Sequence, residues 1–264
     1  MSETVFPPGP VKTDITDETD FVGNGEFLLA VFGIELTAAL PVLVSFTGNP
    51  ARVPRKFWFG WPWQVDFDLT IELPADANNY FSLAVFKPDE AGRYRRQKAR
   101  FHALHAVMLN DVGSKVSMER LTLGASWLIE TSPGNCQAGY LLRKPLTDGL
   151  AADRLMNAIV EAGLCDPGVN GPRARLARLP VAVNGKHSPP FVCRMLKWSP
   201  ELRYSVEDLA NGLQLEMTRA ERSKRQGGRP AQDHPADGDP VWIPRPDENA
   251  ALVTAPWFLQ GSPR

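Results

Sequence analysis

An α+β fold is what this sequence predicts, and three observations carry the prediction. Apolar runs of strand length, dense in β-branched and aromatic residues, recur at 40–46, 79–86 and 105–109. Two later stretches, 148–164 and 205–219, have helical spacing or helix start signals instead. Strands, helix, strand and helix follow one another with no internal repeat.

The bulk numbers bound the rest. A chain of 264 residues, 43% of them hydrophobic, suits one domain of generous size or one domain plus tails. With 29 Lys and Arg against 30 Asp and Glu, the chain is no polycation, so nucleic-acid contact has to come from local basic patches. Cys136, Cys165 and Cys193 lie far apart with no CxxC pair, which argues against a disulfide framework or a cysteine zinc site. No apolar run of about 18 residues occurs, and the start has no apolar signal region. A soluble, cytoplasmic protein with no membrane partner is the expectation.

Residues 1–20, rich in Pro, Thr and Asp without periodicity, are expected to be a disordered tail. Glu26–Phe32 reads as a short helix opened by Asn24. Leu40–Phe46 has the make-up of a buried strand, closed by Gly48-Asn49-Pro50. The aromatic run Phe57–Trp63 can fill a core or stack bases. Asn79–Phe86 is a further strand, and Arg93, Arg95, Arg96, Lys98 and Arg100 then crowd one loop. Such a run suits either a solvated face or phosphate contact. The strand His105–Leu109 follows and delivers Asn110 and Asp111 at its end, with Gly113-Ser114-Lys115 beyond.

Trp127–Tyr140 reads as a hairpin. An apolar strand enters a polar turn, Ser132-Pro133-Gly134-Asn135, and a second strand leaves through Gln137 to Leu142. Leu150, Leu155, Ile159 and Leu164 put one apolar stripe on a helix that Asp166-Pro167-Gly168 should stop. Arg173, Arg175 and Arg178 lead into Leu179-Pro180-Val181-Ala182-Val183-Asn184-Gly185-Lys186, where Asn184-Gly185 could alternatively be a plain type I′ turn. Phe191–Trp198 is a strand, and Ser205-Val206-Glu207-Asp208 is a capping box opening the last helix. Beyond Arg219 the composition shifts to that of a linker, so the expected division is 1–20, 21–219 and 220–264.

Several chemistries are excluded by motif. The sequence has no GxxxxGK[ST] loop, no HExxH, no GxSxG, and no GxGxxG after a strand. His102 and His105 lie three apart on a strand and point to opposite faces, which makes a two-histidine metal site unfit. What remains is an acid at Asp111, a hydroxyl-and-amide turn at Ser132–Gln137, an acid at Asp166, and a train of Arg, Asn and Lys.

In that order these motifs resemble the archaeo-eukaryotic primase superfamily, and within it the RepB-like primase domains of plasmids, phages and integrated elements. The strand HAVMLND leading to VGSK is the first. SPGNCQ is similar to the superfamily's SxGxxH turn, with Gln137 where the histidine stands, and Asp166 followed by the arginines and LPVAVNGK is similar to its late acid and R-L-P-G-x-x-N-x-K run. The resemblance spans about residues 25–215. It implies a primase-polymerase fold, with an RRM-like catalytic sheet beside a second small α/β unit. It implies primer synthesis on a single-stranded DNA template from nucleoside triphosphates, with Mg²⁺ or Mn²⁺ held by Asp111 and Asp166. Ser132, Gly134, Asn135 and Gln137 would contact the nucleotide, with Arg178, Asn184, Lys186 and Lys115 balancing its charge. Arg95, Arg96, Lys98, Arg100, Arg173 and Arg175 would face the template, and a replicative helicase is an implied partner. Asn110 departs from the family's paired acids, leaving the first motif one charge short, and Glu130 is a substitute candidate. A primase-like module that binds without turnover is the alternative reading, and an RRM-like RNA binder using Trp58–Trp63 is a more distant one.

Overall fold

A computed structural model describes residues 21–33, 38–54, 58–64, 73–165 and 171–217. The expected tails 1–20 and 220–264, Phe57, and Asp166-Pro167-Gly168 lie outside the described residues.

Strand-forming runs supply the core. β1 (Leu40–Phe46) is buried along its whole length, and β3 (Asn78–Phe86) at all positions but Tyr80. A strand buried on both faces reads as a continuous apolar run, which is why both are visible in the sequence. β1 is flanked by β2 (Phe59–Pro62) and β3, and β3 pairs in turn with β4 (Phe101–Val112), all antiparallel. β5 (Trp127–Ser132) and β6 (Asn135–Leu146) form the expected hairpin, and β6 pairs with β4. β10 (Arg194–Trp198) closes the far edge against β5. The order is β10-β5-β6-β4-β3-β1-β2, with β7 (Leu176–Arg178) added on β3 and β11 (Arg203–Tyr204) parallel on β6, nine strands in one sheet. β8 (Val183–Asn184) and β9 (Phe191–Val192) make a separate two-stranded ribbon.

Three α-helices occur among the described residues. In α1 (Asn24–Phe32), Gly23 is the N-cap, and Asn24 does not open the helix as its residue type suggests. The Asn24 amide instead bonds backbone 157 residues away, donating to the Val181 carbonyl (3.1 Å) and accepting from its N–H (2.9 Å). α1 lays Phe27 among three rings, Phe81 (5.3 Å), Trp127 (5.3 Å) and Trp198 (5.1 Å), so the helix is fixed to β3, β5 and β10, strands distant from it in sequence.

α2 (Gly149–Glu161) is capped by Asp148, whose carboxylate accepts from Leu150 N (2.8 Å) and Ala151 N (3.2 Å). The helix ends at Ala162 and Gly163, where Gly163 has φ 67°, ahead of the Pro-Gly stop expected further on. The capping box of α3 (Val206–Gly212) forms as read, Ser205 Oγ accepting from Asp208 N (3.0 Å) and Asp208 from Ser205 N (2.8 Å). That helix stops at Gly212, short of residue 219.

Two strand expectations also change. The strand drawn at 105–109 extends over 101–112, because its pairing with β3 and β6 carries it past its most apolar residues. The strand drawn at 191–198 divides at Cys193, whose N–H bonds Ala182 O (2.9 Å); the first part pairs with β8 and the second with β5.

Candidate active site

β4 delivers Asn110 and Asp111 where its register with β6 breaks, between Leu109 and Val112. Asp111 has φ 61°, a left-handed conformation that aspartate tolerates better than most residues. Its carbonyl accepts from Ser114 N (3.3 Å), Lys115 N (3.0 Å) and Val116 N (3.0 Å), closing a tight turn. The turn folds Lys115 Nζ back to 2.9 Å from the Asp111 carboxylate, which is 17% exposed.

Beside it stands the hairpin tip. Ser132 pairs with Asn135, so the turn is Pro133-Gly134, and Gly134 takes φ 68°, as the third position of a type II turn requires. Glu130 Oε1 accepts from Gly134 N (2.8 Å), and its Oε2 accepts from Arg194 Nε (2.7 Å) and Nη2. Glu130 thus shapes the turn and is already neutralised, so it does not replace the acid missing at Asn110. The two turns touch: a Cβ on Gly113 would run into the Gly134 carbonyl oxygen, and Ser114 Oγ donates to Asn135 Oδ1 (2.6 Å).

Behind the turns lies a buried polar network. Gln137 Nε2 donates to Asn110 Oδ1 (3.3 Å), and Gln137 Oε1 accepts from Arg178 N (2.9 Å), tying β4 to β7 through β6. Arg178 is 4% exposed. Its Nη1 donates to Val183 O (2.6 Å) and Asn78 Oδ1 (3.4 Å), its Nη2 to Asn184 Oδ1 (3.1 Å), and its guanidinium lies 4.6 Å over the Tyr80 ring. A buried cation needs such compensation, here from amide and carbonyl dipoles and an aromatic face.

Asn184 Nδ2 bonds Thr131 O (2.7 Å), and Gly185 N bonds Asn78 Oδ1 (3.0 Å). Gly185 packs so closely that a Cβ there would strike the Gly48 carbonyl oxygen, and six residues separate β8 from β9, so Asn184-Gly185 is no two-residue hairpin turn. Lys186 is exposed at the rim. Burial pushes the Cys193 thiol up to about 11, against an opposing pull from Arg178, so the thiol next to this network stays protonated at neutral pH.

The sheet end therefore gathers Asn110, Asp111, Lys115, Ser132, Gly134, Asn135, Gln137, Arg178 and Asn184. The sequence reading missed Asn78, Thr131 and Tyr80, which hold the arginine and the asparagine in place. The signal for Asn78 was a pair of asparagines leading an otherwise apolar strand.

The expected template-facing cations do not form one surface. Arg173 bonds Asp153 of α2 (3.2 and 2.6 Å). Arg175 is buried, with Nη1 and Nη2 each 3.3 Å from Cys165 Sγ and Nη1 3.7 Å from Met156 Sδ, so its guanidinium faces the core and cannot reach a template phosphate. Arg96 donates to the Ala174 carbonyl, Arg95 lies 3.7 Å from Asp89, and Lys98 and Arg100 sit on a single helical turn before β4.

No group of three or more His, Cys, Asp or Glu gathers among the described residues, and Asp166 lies outside them. The described donors for a divalent ion are the Asp111 carboxylate, which already holds an ammonium, and the Asn110 carbonyl oxygen, which accepts from Gln137. The carboxylate fits a cation, and by itself it falls short of the paired acids that two ions require.

No protein-family model matches the sequence, and no curated protein matches it. Among solved structures, primase RepB′ superposes with a TM-score of 0.50 at 13% identity, covering 77% of this chain and 64% of that one. This chain thus spans a little under two thirds of that protein's length. The catalytic domain of primase RepB′ in complex with initiator DNA gives 0.48 at 14% identity, with 77% and 96% covered. The AEP domain of the cyanophage S-2L primase-polymerase gives 0.47 at 16% identity, with 71% and 95% covered. The fold is the mixed α+β fold of primase RepB′, built on one large, mainly antiparallel sheet with few helices.

Proposed function

We propose that residues 21–219 form a DNA primase-polymerase domain, a nucleotidyltransferase that makes primers on single-stranded DNA during replication of a mobile element. The observation that carries this reading is the convergence of Asp111, the Ser132–Asn135 turn and the Gln137–Arg178–Asn184 network at one end of the sheet. A triphosphate needs donors and positive charge beside a carboxylate-held cation, and in this reading the hairpin turn and Lys115 would supply them. Asp111 and Asp166 would hold Mg²⁺ or Mn²⁺, which when bound would activate a 3′-hydroxyl and stabilise the leaving pyrophosphate. Ser132, Gly134, Asn135 and Gln137 would orient the nucleotide. Lys115 would release Asp111 to the metal and turn its ammonium to the phosphates, with Lys186 beside it. The expected setting is the cytoplasm, with a replicative helicase as partner.

A second reading, nucleotide or single-strand binding without turnover, is favoured by one observation. Asn110 stands where a second acid is expected, and Gln137 holds its carbonyl oxygen. One experiment separates the two: primer synthesis on a mixed single-stranded template with labelled nucleotides and Mn²⁺, using the wild type, Asp111→Ala and Asp166→Ala. The enzyme reading expects product from the wild type and none from either variant. No wild-type product, with oligonucleotide binding intact, selects the binding module and makes Asn110→Asp the next variant to assay.

A further inference from the structure

Two tryptophans of the aromatic run, Trp58 and Trp63, part on folding. Trp63 is buried and packs near Phe32, while Trp58, half-buried, borders a shallow, partly open groove at the β2 edge of the sheet. Val42, Val44 and Gly60 line one side of the cleft. Val44 and Gly60 are register partners, so the edge strand presents no side chain at that point. Tyr94, anchored by its hydroxyl to Ala38 O (2.8 Å), lines the opposite side with Arg95 and Arg96.

Trp58 is held in place. Its ring stacks on Phe46 at 4.2 Å and 20°, and its Nε1 donates to Val53 O (3.2 Å). Tyr80, which carries the Arg178 guanidinium, is parallel to Trp58 within 3° at 6.3 Å. The cleft and the candidate active site therefore share one aromatic layer.

From this we infer that the cleft is a stacking subsite for single-stranded DNA, one base lying against Trp58 with its phosphate at Arg95 and Arg96. The inference deepens the proposed function and rests on it for the identity of the strand. An apolar lining with an aromatic wall suits a flat base, and two guanidiniums suit the charge attached to it. A duplex keeps its base faces stacked inside and cannot use such a platform. Asp89 pairs with Arg93 (2.9 Å) and lies 3.7 Å from Arg95, and Arg96 donates to the Ala174 carbonyl, so the guanidiniums of Arg95 and Arg96 are both held in place beside the groove.

The test compares two labelled oligonucleotides of equal length, oligo(dT) and an abasic strand, which share phosphates and differ only in bases. Wild-type protein should bind oligo(dT) more tightly by about fivefold or more. Trp58→Ala should abolish that preference, and Trp58→Phe should keep most of it. Should Trp58→Ala fail to fold, Trp58→Leu keeps apolar bulk on Phe46 without an aromatic face and gives the same readout. Arg95→Gln should weaken both strands alike and flatten the salt dependence by about 0.7 in log K per log salt.

Equal wild-type binding of the two strands, or a preference that survives in Trp58→Leu, overturns the subsite. Primer synthesis is measured in parallel on the same preparations. Product without base preference leaves the enzyme standing and removes the cleft. Base preference without product leaves the cleft and removes the enzyme.

Discussion

Arg178 enters the candidate site with a full charge and almost no water around it. The sequence marks its position by motif order but not its direction; the side chain turns inward and bonds oxygens of Val183, Asn78 and Asn184. Its contribution to the candidate site is therefore indirect, through the Gln137 and Asn184 side chains that it and its backbone position. Arg178→Lys keeps the charge but cannot span the three acceptors with one ammonium and loses the planar face over Tyr80. We expect a loss of about 3 kcal/mol in stability, read as a lower urea midpoint at unchanged slope. An unshifted midpoint would show that the network does not depend on the guanidinium fork. Arg175 makes the same point: three arginines within six positions look alike in sequence, and two of them are buried.

At the scale of elements, the hairpin was legible because Pro133-Gly134 fixes the turn chemically and the flanking residues are strand formers. β1 and β3 were legible because both are buried along nearly their whole length and so read as mostly apolar runs. β7 and β8 were not, since two or three residues show no period and they become strands only through the partners that folding brings to them, while β9 was read as the start of one longer strand. The acid at 166 was readable as a candidate, and its structural setting lies outside the described residues. Gly139 shows how an element can hang on one missing side chain. It is the register partner of Trp127 across β5 and β6, and a Cβ there would penetrate the Trp127 indole. Gly139→Ala should therefore cost about 1–3 kcal/mol and lower the melting temperature followed by near-UV circular dichroism. A melting curve identical to wild type would mean the ring can move aside freely.

At the scale of the molecule, α1 joins β4 to β11 among the described residues. Arg203 Nη2 donates to Ala30 O (2.5 Å), and His105 of β4 meets Phe32 with ring centroids 5.1 Å apart. Burial pushes His105 down to about 4 from 6.5, despite a hydrogen bond with the Val31 carbonyl, and the nearby His102 and Arg203 lower it further. Between those two pH values the unfolded chain holds a proton that the folded chain refuses, so acid favours unfolding. Stability should be complete above pH 6.5 and fall on the way to about 4, by roughly 3 kcal/mol at most. Urea titrations at pH 7 and pH 5 check this, and His105→Phe should flatten the slope between them. A wild-type slope that persists unchanged in the variant would assign the acid sensitivity to other groups.

The contact between Gly113 and the Gly134 carbonyl has a consequence in evolutionary terms. The two turns share one atom's worth of space, so Gly113 cannot take a side chain without displacing the Gly134 carbonyl. Mutational drift in the turn after β4 is thereby answerable to the hairpin tip. The two motifs should diverge in step across descendants of this chain, as a single heritable unit.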